Sequence, residues 1–599
     1  MVIRWNSQLR FSTFDNNEDS IMKRLCFAIL LLLLCASFGL SQQVQVQEVT
    51  LDNGMRLLMV PRKGDPNIAA GWIARVGSVN ERPGITGLSH LFEHMMFKGT
   101  HTVGTKNDQE DTRIQNEMDR VRGEIEVELN ALIQKQRLGE ISDAKDPKFR
   151  SQKHQDLLKQ MEELEKKQKD LMVKDEFDKI YTKAGGSGMN ATTTPDFTLY
   201  FINVPANKLE LWFWMESDRL LNPVFREFYS ERDVVHEERR LRTDSTPTGK
   251  FDEELDAMFW ESSPYAWPVV GWPSDLEGVT RREALDYFAL HYAPNNLIMC
   301  LVGDFEPANA VALAKKYLER IPRGKQNPEP VRTQEVKQLA EKRMVAYAET
   351  SPQVVIRYHA VAGGHADGFA LGLMADLLNG RTGRLSKSLV LKQGLANSAV
   401  AFQQGRKYEG VFEFRGTAKP GHTPEEVEQA LYKEIERLQK EPVPDEELQK
   451  VKNLNAAGAF RRLQSSFNLM FQLLVADSGR GWSTINADPP RFQAVTAKDI
   501  MRVANTYFAP ENRTVGVYYT KRADSGGDDP QLAGLTDQEK QQVKQLKGFL
   551  AQAKPEQIKQ MLGRVDEQAA SAPPDKQKFV GLIKKLLEER LKQLEGGKQ

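Results

Sequence analysis

The sequence predicts an α+β fold of two homologous halves, each a mixed sheet with helices. An inserted helical hairpin and a helical C-terminal tail complete the expectation. Three observations carry it. The first is an internal repeat: Val279-Thr280 opens a stretch ending in Tyr292-Ala293-Pro294-Asn295-Asn296, and Val495-Thr496 opens another ending in Phe508-Ala509-Pro510-Glu511-Asn512, 216 residues on and without a gap. Both read as an amphipathic helix, a proline turn and an apolar strand. The second is the change between strand-like alternation and helical spacing inside each half. The third is a pair of charged segments that stand outside the repeat.

The first half is expected over 42–322. Val49 to Val60 and Ile68 to Val76 alternate like hairpin strands around Asn53-Gly54 and Gly64-Asp65-Pro66. Gly87 to Phe97 reads as a helix, and Thr194 to Val204 as a further strand. A Pro/Lys/Gln-rich stretch, 323–341, reads as the linker. The second half, 342–520, has strands near 344–361 and 410–418 and helices near 367–379, 424–440 and 444–476.

Residues 106–180 are charged and nearly free of glycine and proline. Ile114, Met118, Val121, Ile125, Leu129 and Leu132 keep one apolar seam, and Leu157, Met161, Leu164 and Leu171 keep another, with Asp146-Pro147 breaking the two. Spacing by threes and fours predicts an antiparallel, coiled-coil-like hairpin inserted into the first half. Residues 521–599 open on the loose stretch Asp524-Ser525-Gly526-Gly527-Asp528-Asp529-Pro530 and continue as Lys/Gln/Glu-rich helix.

A chain of 599 residues exceeds one ordinary core and predicts several domains. Acidic and basic residues number 82 each, so no long-range field favours nucleic acid or an anionic membrane, and no basic stripe with interleaved aromatics is present. The apolar run Leu25 to Leu40 follows Met22-Lys23-Arg24 and ends in Gly39-Leu40-Ser41. A basic start, a short apolar core and small residues describe a secretory signal over 22–41, cleaved after Ser41, leaving no stable membrane span. The expected location is outside the cytoplasm, in a bacterial periplasm. Of three cysteines only Cys300 lies beyond the signal, inside the apolar run Leu297 to Val302, and it reads as a buried core thiol.

The most informative stretch is His90-Leu91-Phe92-Glu93-His94. Residues four apart share a helix face, so His90 and His94 can aim at one metal ion. Glu93 lies on the edge of that face, placed to act as a general base. This H-x-x-E-H order is the inverzincin signature. A catalytic zinc needs a third protein ligand. Glu231 to Glu238 is the best acidic stretch for it: Glu231 and Glu238 stand two helical turns apart on one face, so one can ligate while the other orients.

The surrounding residues carry a resemblance. Asn53-Gly54, Gly77-Ser78, Glu81 and Gly87-Leu88-Ser89-His90-Leu91-Phe92-Glu93-His94-Met95-Met96-Phe97-Lys98-Gly99-Thr100 resemble the active-site region of the pitrilysin/insulinase metallopeptidases, nearest their two-domain branch. Asn190-Ala191-Thr192, Asp196, Thr198 and Tyr200 resemble that family's strand motif, and Glu231-Arg232-Asp233-Val234-Val235 with Glu238 its third-ligand helix. Ser263-Pro264-Tyr265, Pro268-Val269-Val270-Gly271 and Val302-Gly303-Asp304 also fit. The likeness covers about 45–520 and implies that the two halves form a half-chamber. It implies one zinc per chain held by His90, His94 and Glu238, with Glu93 as base and Glu231 as supporting carboxylate. Glu237 is the alternative third ligand, disfavoured by the seven-residue step from Glu231. The implied activity is zinc-dependent endoproteolysis of unfolded or short peptides, the substrate adding along the strand around Gly188-Met189-Asn190-Ala191-Thr192.

Two departures stand out. The gap from His94 to Glu238 is longer than the family's, and the insert 106–180 accounts for it. Family members that complete a site in the second half carry an Arg and a Tyr seven residues apart, whereas Leu389 to Asn397 here puts Val390 and Asn397 at those places. The second half is therefore expected to be catalytically degenerate, and the chain to work as a heterodimer with a relative that carries the pair. The rival readings are a scaffolding subunit without activity and a coiled-coil structural protein.

Overall fold

The structure is a computed structural model that describes residues 43–521 and 535–596, apart from 554, 572, 574 and 575. The expected signal at 22–41 and the loose stretch 524–530 lie outside the described residues. The described chain divides into two compact units, Met1–Ala346 with Ser351–Tyr519, and Tyr347–Thr350 with Thr520–Gln599.

Two mixed sheets organise the larger unit. The first has six strands in the order β1-β2-β6-β3-β5-β4: β1 Gln47–Thr50, β2 Arg56–Pro61, β3 Asn67–Ala74, β4 Ser187–Thr193, β5 Thr198–Pro205 and β6 Leu297–Gly303. The second runs β7-β11-β8-β10-β9: β7 Lys342–Ala348, β8 Gln353–Ala360, β9 Ala396–Gly405, β10 Gly410–Ala418 and β11 Arg513–Thr520. Setting β2, β6, β3, β5 and β4 against β7, β11, β8, β10 and β9 gives one strand order in both sheets. The repeated sequences supply matching parts of each. Helix Arg281–His291 leads into β6 and helix Ala497–Tyr507 into β11, and both open on a capping box, Thr280 with Glu283 and Thr496 with Asp499.

The hairpin expected around Asn53-Gly54 forms, with Gln47 opposite Met59 and Thr50 opposite Arg56. The one expected around Gly64-Asp65-Pro66 does not. β6 lies between β2 and β3, parallel to the first and antiparallel to the second. All seven residues of β6 are buried. Such an apolar run needs a neighbour on each edge and cover on each face, which only a central position supplies. The helix expected at 444–476 is two helices, Asp445–Gln464 and Ser466–Gly479. Ser465 breaks it in extended backbone, and its hydroxyl accepts from the Asn468 N–H to start the second. Strand β9 was not among the expected elements.

The alternation of the first sheet sends side chains to two cores. Met59, Trp72, Met299 and Leu301 share a core with Leu91 and Phe92 of the H-x-x-E-H stretch. Leu58, Ile73, Ile298 and the free thiol Cys300 face Leu469, Met470, Leu473 and Leu474 of the second half's helix Ser466–Gly479. The second half thus closes the back of the first sheet. An ion pair between half-buried Arg56 and buried Asp477 fastens it there, Arg56 Nη1 lying 2.6 Å from Asp477 Oδ2.

The charged segment forms helices Asp108–Arg137 and Gln152–Leu171, which pack on each other through Ile114, Met118, Val121, Leu157, Met161 and Leu164. Its ends meet, since Lys106 N–H donates to Leu171 O at 2.8 Å. The fully buried Arg226 fixes its base, donating to Asp111 at 2.5 Å and to the carbonyls of Thr100 (2.9 Å), Lys98 and Val103 (both 3.1 Å). The smaller unit contains helices Asp537–Gln552, Pro555–Ser571 and Gln577–Gly596, with a core that includes Leu550, Ile558 and Leu587. Among the described residues no helix is long and apolar enough to cross a membrane.

Candidate metal centre

The motif helix, Leu88–Met95, is short and two-faced. Leu88, Leu91, Phe92 and Met95 enter the core, Phe92 stacking on Tyr287 at 5.6 Å. That leaves His90, Glu93 and His94 on the opposite side, facing a cavity of about 660 Å³. Its start is tightly specified. Gly87 has φ +88° and Gly271 +83°, and a Cβ on either would strike the backbone of the other's loop, Val270 O and Thr86 O respectively. Glu81 then caps the helix, accepting from Gly87 N–H at 2.8 Å and Ser89 N–H at 2.6 Å. Burial pushes this carboxyl up to about 8, against the two backbone donors.

The second helix of the site, Phe228–Arg239, buries Phe228, Arg232 and Val235 and turns Glu231 and Glu238 toward the histidines. His94 Nδ1–H donates to Glu231 Oε1 at 2.9 Å, which leaves Nε2 free to face Glu238 Oε2 at 3.3 Å. His90 Nε2 lies 3.7 Å from Glu238 Oε1. One ligand atom each from His90, His94 and Glu238 fall within 4.8 Å of one another. Glu237 points elsewhere: it is exposed and paired with Arg240 at 2.7 Å.

The electrostatics follow from this crowding. Burial, reinforced by His94 beside it, lowers His90 to about 4. Burial also opposes charge on His94, but the Glu231 hydrogen bond and the surrounding carboxylates outweigh it and raise its pKa. Glu231 is buried too, yet His94 and Lys98 hold its pKa below the usual range. Burial raises Glu93, against a hydrogen bond donated by Thr193 Oγ1 at 2.6 Å.

These residues fit a divalent cation. Two imidazoles and a carboxylate are the donor set of one class of catalytic zinc site, which keeps a further position open. Glu231 on His94 Nδ1 fixes the tautomer that offers Nε2. The residues H-x-x-E-H and the Glu231/Glu238 step thus come together in one cavity. Sequence reasoning missed the supporting contacts, Thr193 on Glu93 and Lys98 on Glu231. Lys98 stood in the quoted motif, but only the helix pairing shows what it touches. Val390 and Asn397 do not line this cavity, whose walls come entirely from the first half.

Comparison with known proteins agrees with the fold. A model described as insulinase (peptidase family M16) matches residues 59–131, and one described as the M16 inactive domain matches 278–455. The zinc protease PqqE of Helicobacter pylori is 27% identical over 499 residues, spanning 81% of this chain and 96% of that protein. An uncharacterized zinc protease of Bacillus subtilis, YmxG, is 19% identical over 71% of this chain and 86% of its own length. A solved protease structure from Helicobacter pylori superposes with TM-score 0.64 at 25% identity, covering 79% of this chain and 99% of that one. The periplasmic protease PqqL of Escherichia coli shares the fold, with TM-score 0.59 at 16% identity over 81% of this chain and 48% of that one. Fold and relatives together define a peptidase. Over the residues that the two family models match, the chain is similar to the insulinase family, peptidase family M16.

Proposed function

We propose that this chain is a zinc metalloendopeptidase that hydrolyses unfolded or short peptides. The observation that carries the reading is the convergence of His90, His94 and Glu238 within 4.8 Å, with Glu93 lining the same cavity. His90, His94 and Glu238 would hold one zinc ion per chain, and Glu231 orients His94. Zinc held there would supply Lewis acidity for the scissile carbonyl and for the attacking water. Glu93 takes the attacking water's proton as its oxygen bonds to the carbonyl carbon. It then delivers that proton to the amine nitrogen as the C–N bond breaks. Thr193 holds the Glu93 carboxylate in place.

β4 is the edge strand of its sheet, and its Asn190 to Thr193 form one wall of the cavity. An extended peptide pairing with that edge would present its backbone to the triad, which folded proteins cannot do. The expected signal at 22–41 and the structurally similar periplasmic protease PqqL support action in a bacterial periplasm.

The ligand assignment is tested by metal content. Glu238→Gln is expected to weaken zinc binding by more than about 100-fold, since it removes a ligand itself, while Glu237→Gln keeps full occupancy. Zinc loss confined to the Glu237 variant would reverse the assignment. In an assay with a quenched unstructured peptide, chelation should abolish turnover and zinc restore it.

The chain is also proposed to work beside a second family chain carrying the Arg/Tyr pair. Val390 and Asn397 offer no cation, and an oxyanion donor is commonly worth about two to three decades in rate. The purified chain should therefore turn over weakly and gain about that factor on adding the partner. Rapid turnover by a monomer or homodimer, indifferent to any second chain, sinks the partner while leaving the zinc site standing.

A further inference from the structure

Three cations line the cavity: Lys98, Arg239 and Arg242. Two are committed. Lys98 pairs with Glu227 and Glu231, and Arg239, only 5% exposed, grips Glu253 through two bonds of 2.7 Å. Arg242 differs. It sits in the π-helical turn Arg240–Asp244 that follows the Glu238 helix, its side chain is 78% exposed, and its ion-pair partner among the described residues is Glu238, at 2.5 Å. Glu238 belongs to the triad. A cation held by the triad takes up that carboxylate's charge, leaving the guanidinium at the mouth of the site with its charge unanswered.

We propose that Arg242 is a specificity residue that binds a carboxylate of the substrate beside the scissile bond. The inference rests on the peptidase reading above. A planar guanidinium on an exposed stem suits a carboxylate, which it can grip with two parallel hydrogen bonds. The carboxylate has two sources, an acidic side chain or a free peptide C-terminus, and both present the same group.

The test uses full-length, zinc-loaded Glu93→Gln protein, so that bound peptide is not cut, with affinities measured calorimetrically. Three unstructured peptides are compared: one with a single Glu and an amidated C-terminus, one without acidic residues and with a free C-terminus, and one with neither. One of the first two should bind about fivefold tighter than the third, as an exposed ion pair worth ~1 kcal/mol gives, and which one does so identifies the source. The preference should vanish in Glu93→Gln/Arg242→Ala and persist in Glu93→Gln/Arg242→Lys, with zinc content equal in all three proteins. Equal affinity for the three peptides overturns the inference alone, as does a preference that survives Arg242→Ala. Zinc loss in Arg242→Ala overturns it in favour of a role in orienting Glu238. Failure to bind any of the peptides overturns the peptidase reading and the inference with it.

Discussion

Glu93→Gln is expected to keep its zinc and to lose about two to four decades of peptide cleavage, the usual worth of a positioned general base. Glutamine preserves the shape of the side chain and the acceptor that Thr193 Oγ1 reaches at 2.6 Å, so the cavity wall should not move. It removes only the group that can take and return a proton. Glu93 does not belong to the His90, His94 and Glu238 cluster, so metal content is the internal control. Turnover within a few-fold of the parent, at full zinc occupancy, would end the assignment of Glu93. Loss of zinc together with activity would instead make it a ligand or a structural residue.

Asp111→Ala should cost about 3–5 kcal/mol of stability, because it leaves a buried charge without its partner. Arg226 and Asp111 are both 0% exposed, and Gln168 of the second insert helix donates to the same carboxylate at 2.9 Å. The remaining partners of Arg226 are the half-buried Asp108 carboxylate, more distant at 3.9 Å, and the carbonyls of Lys98, Thr100 and Val103, just beyond the motif helix. Loosening this knot should therefore also disturb Lys98 and its bond to Glu231. Chemical denaturation of the variant measures the loss. The double variant Asp111→Leu/Arg226→Met should recover much of it, since it leaves no uncompensated charge. A denaturation midpoint unchanged in Asp111→Ala would show that the insert does not depend on this pair.

The legible parts of the molecule are those with short-range signatures. The repeat at 279–296 and 495–512 gave the matching helix, turn and strand of each half, because capping residues, a proline turn and an apolar run act over a few residues. The seams of the charged segment marked both of its helices for the same reason. The strand neighbours were not legible. β6 lies some 230 residues beyond β3, and its place between β2 and β3 follows from burying both its faces and both its edges, which no local pattern encodes. Nor did any local pattern show that Ser466–Gly479, one half's helix, would cover the other half's sheet.

By itself the sequence determined the chemistry on offer: two imidazoles and a carboxylate on one helical face, and two carboxylates seven residues apart on another. Helical periodicity fixes those relations within each segment, whatever the rest of the chain does. Only the tertiary structure decided how the two helices meet. It set Glu231 on His94 Nδ1, Glu238 between both imidazoles, Glu237 out on the surface beside Arg240, and Thr193 and Lys98 as the groups that hold Glu93 and Glu231. Apart from the local Glu237–Arg240 pair, those contacts join residues a hundred or more positions apart, and the packing of Leu88, Leu91, Phe92 and Val235 into one core fixes them. Which residues touch across that core depends on how side chains fill its volume, and that is a property of the folded chain alone.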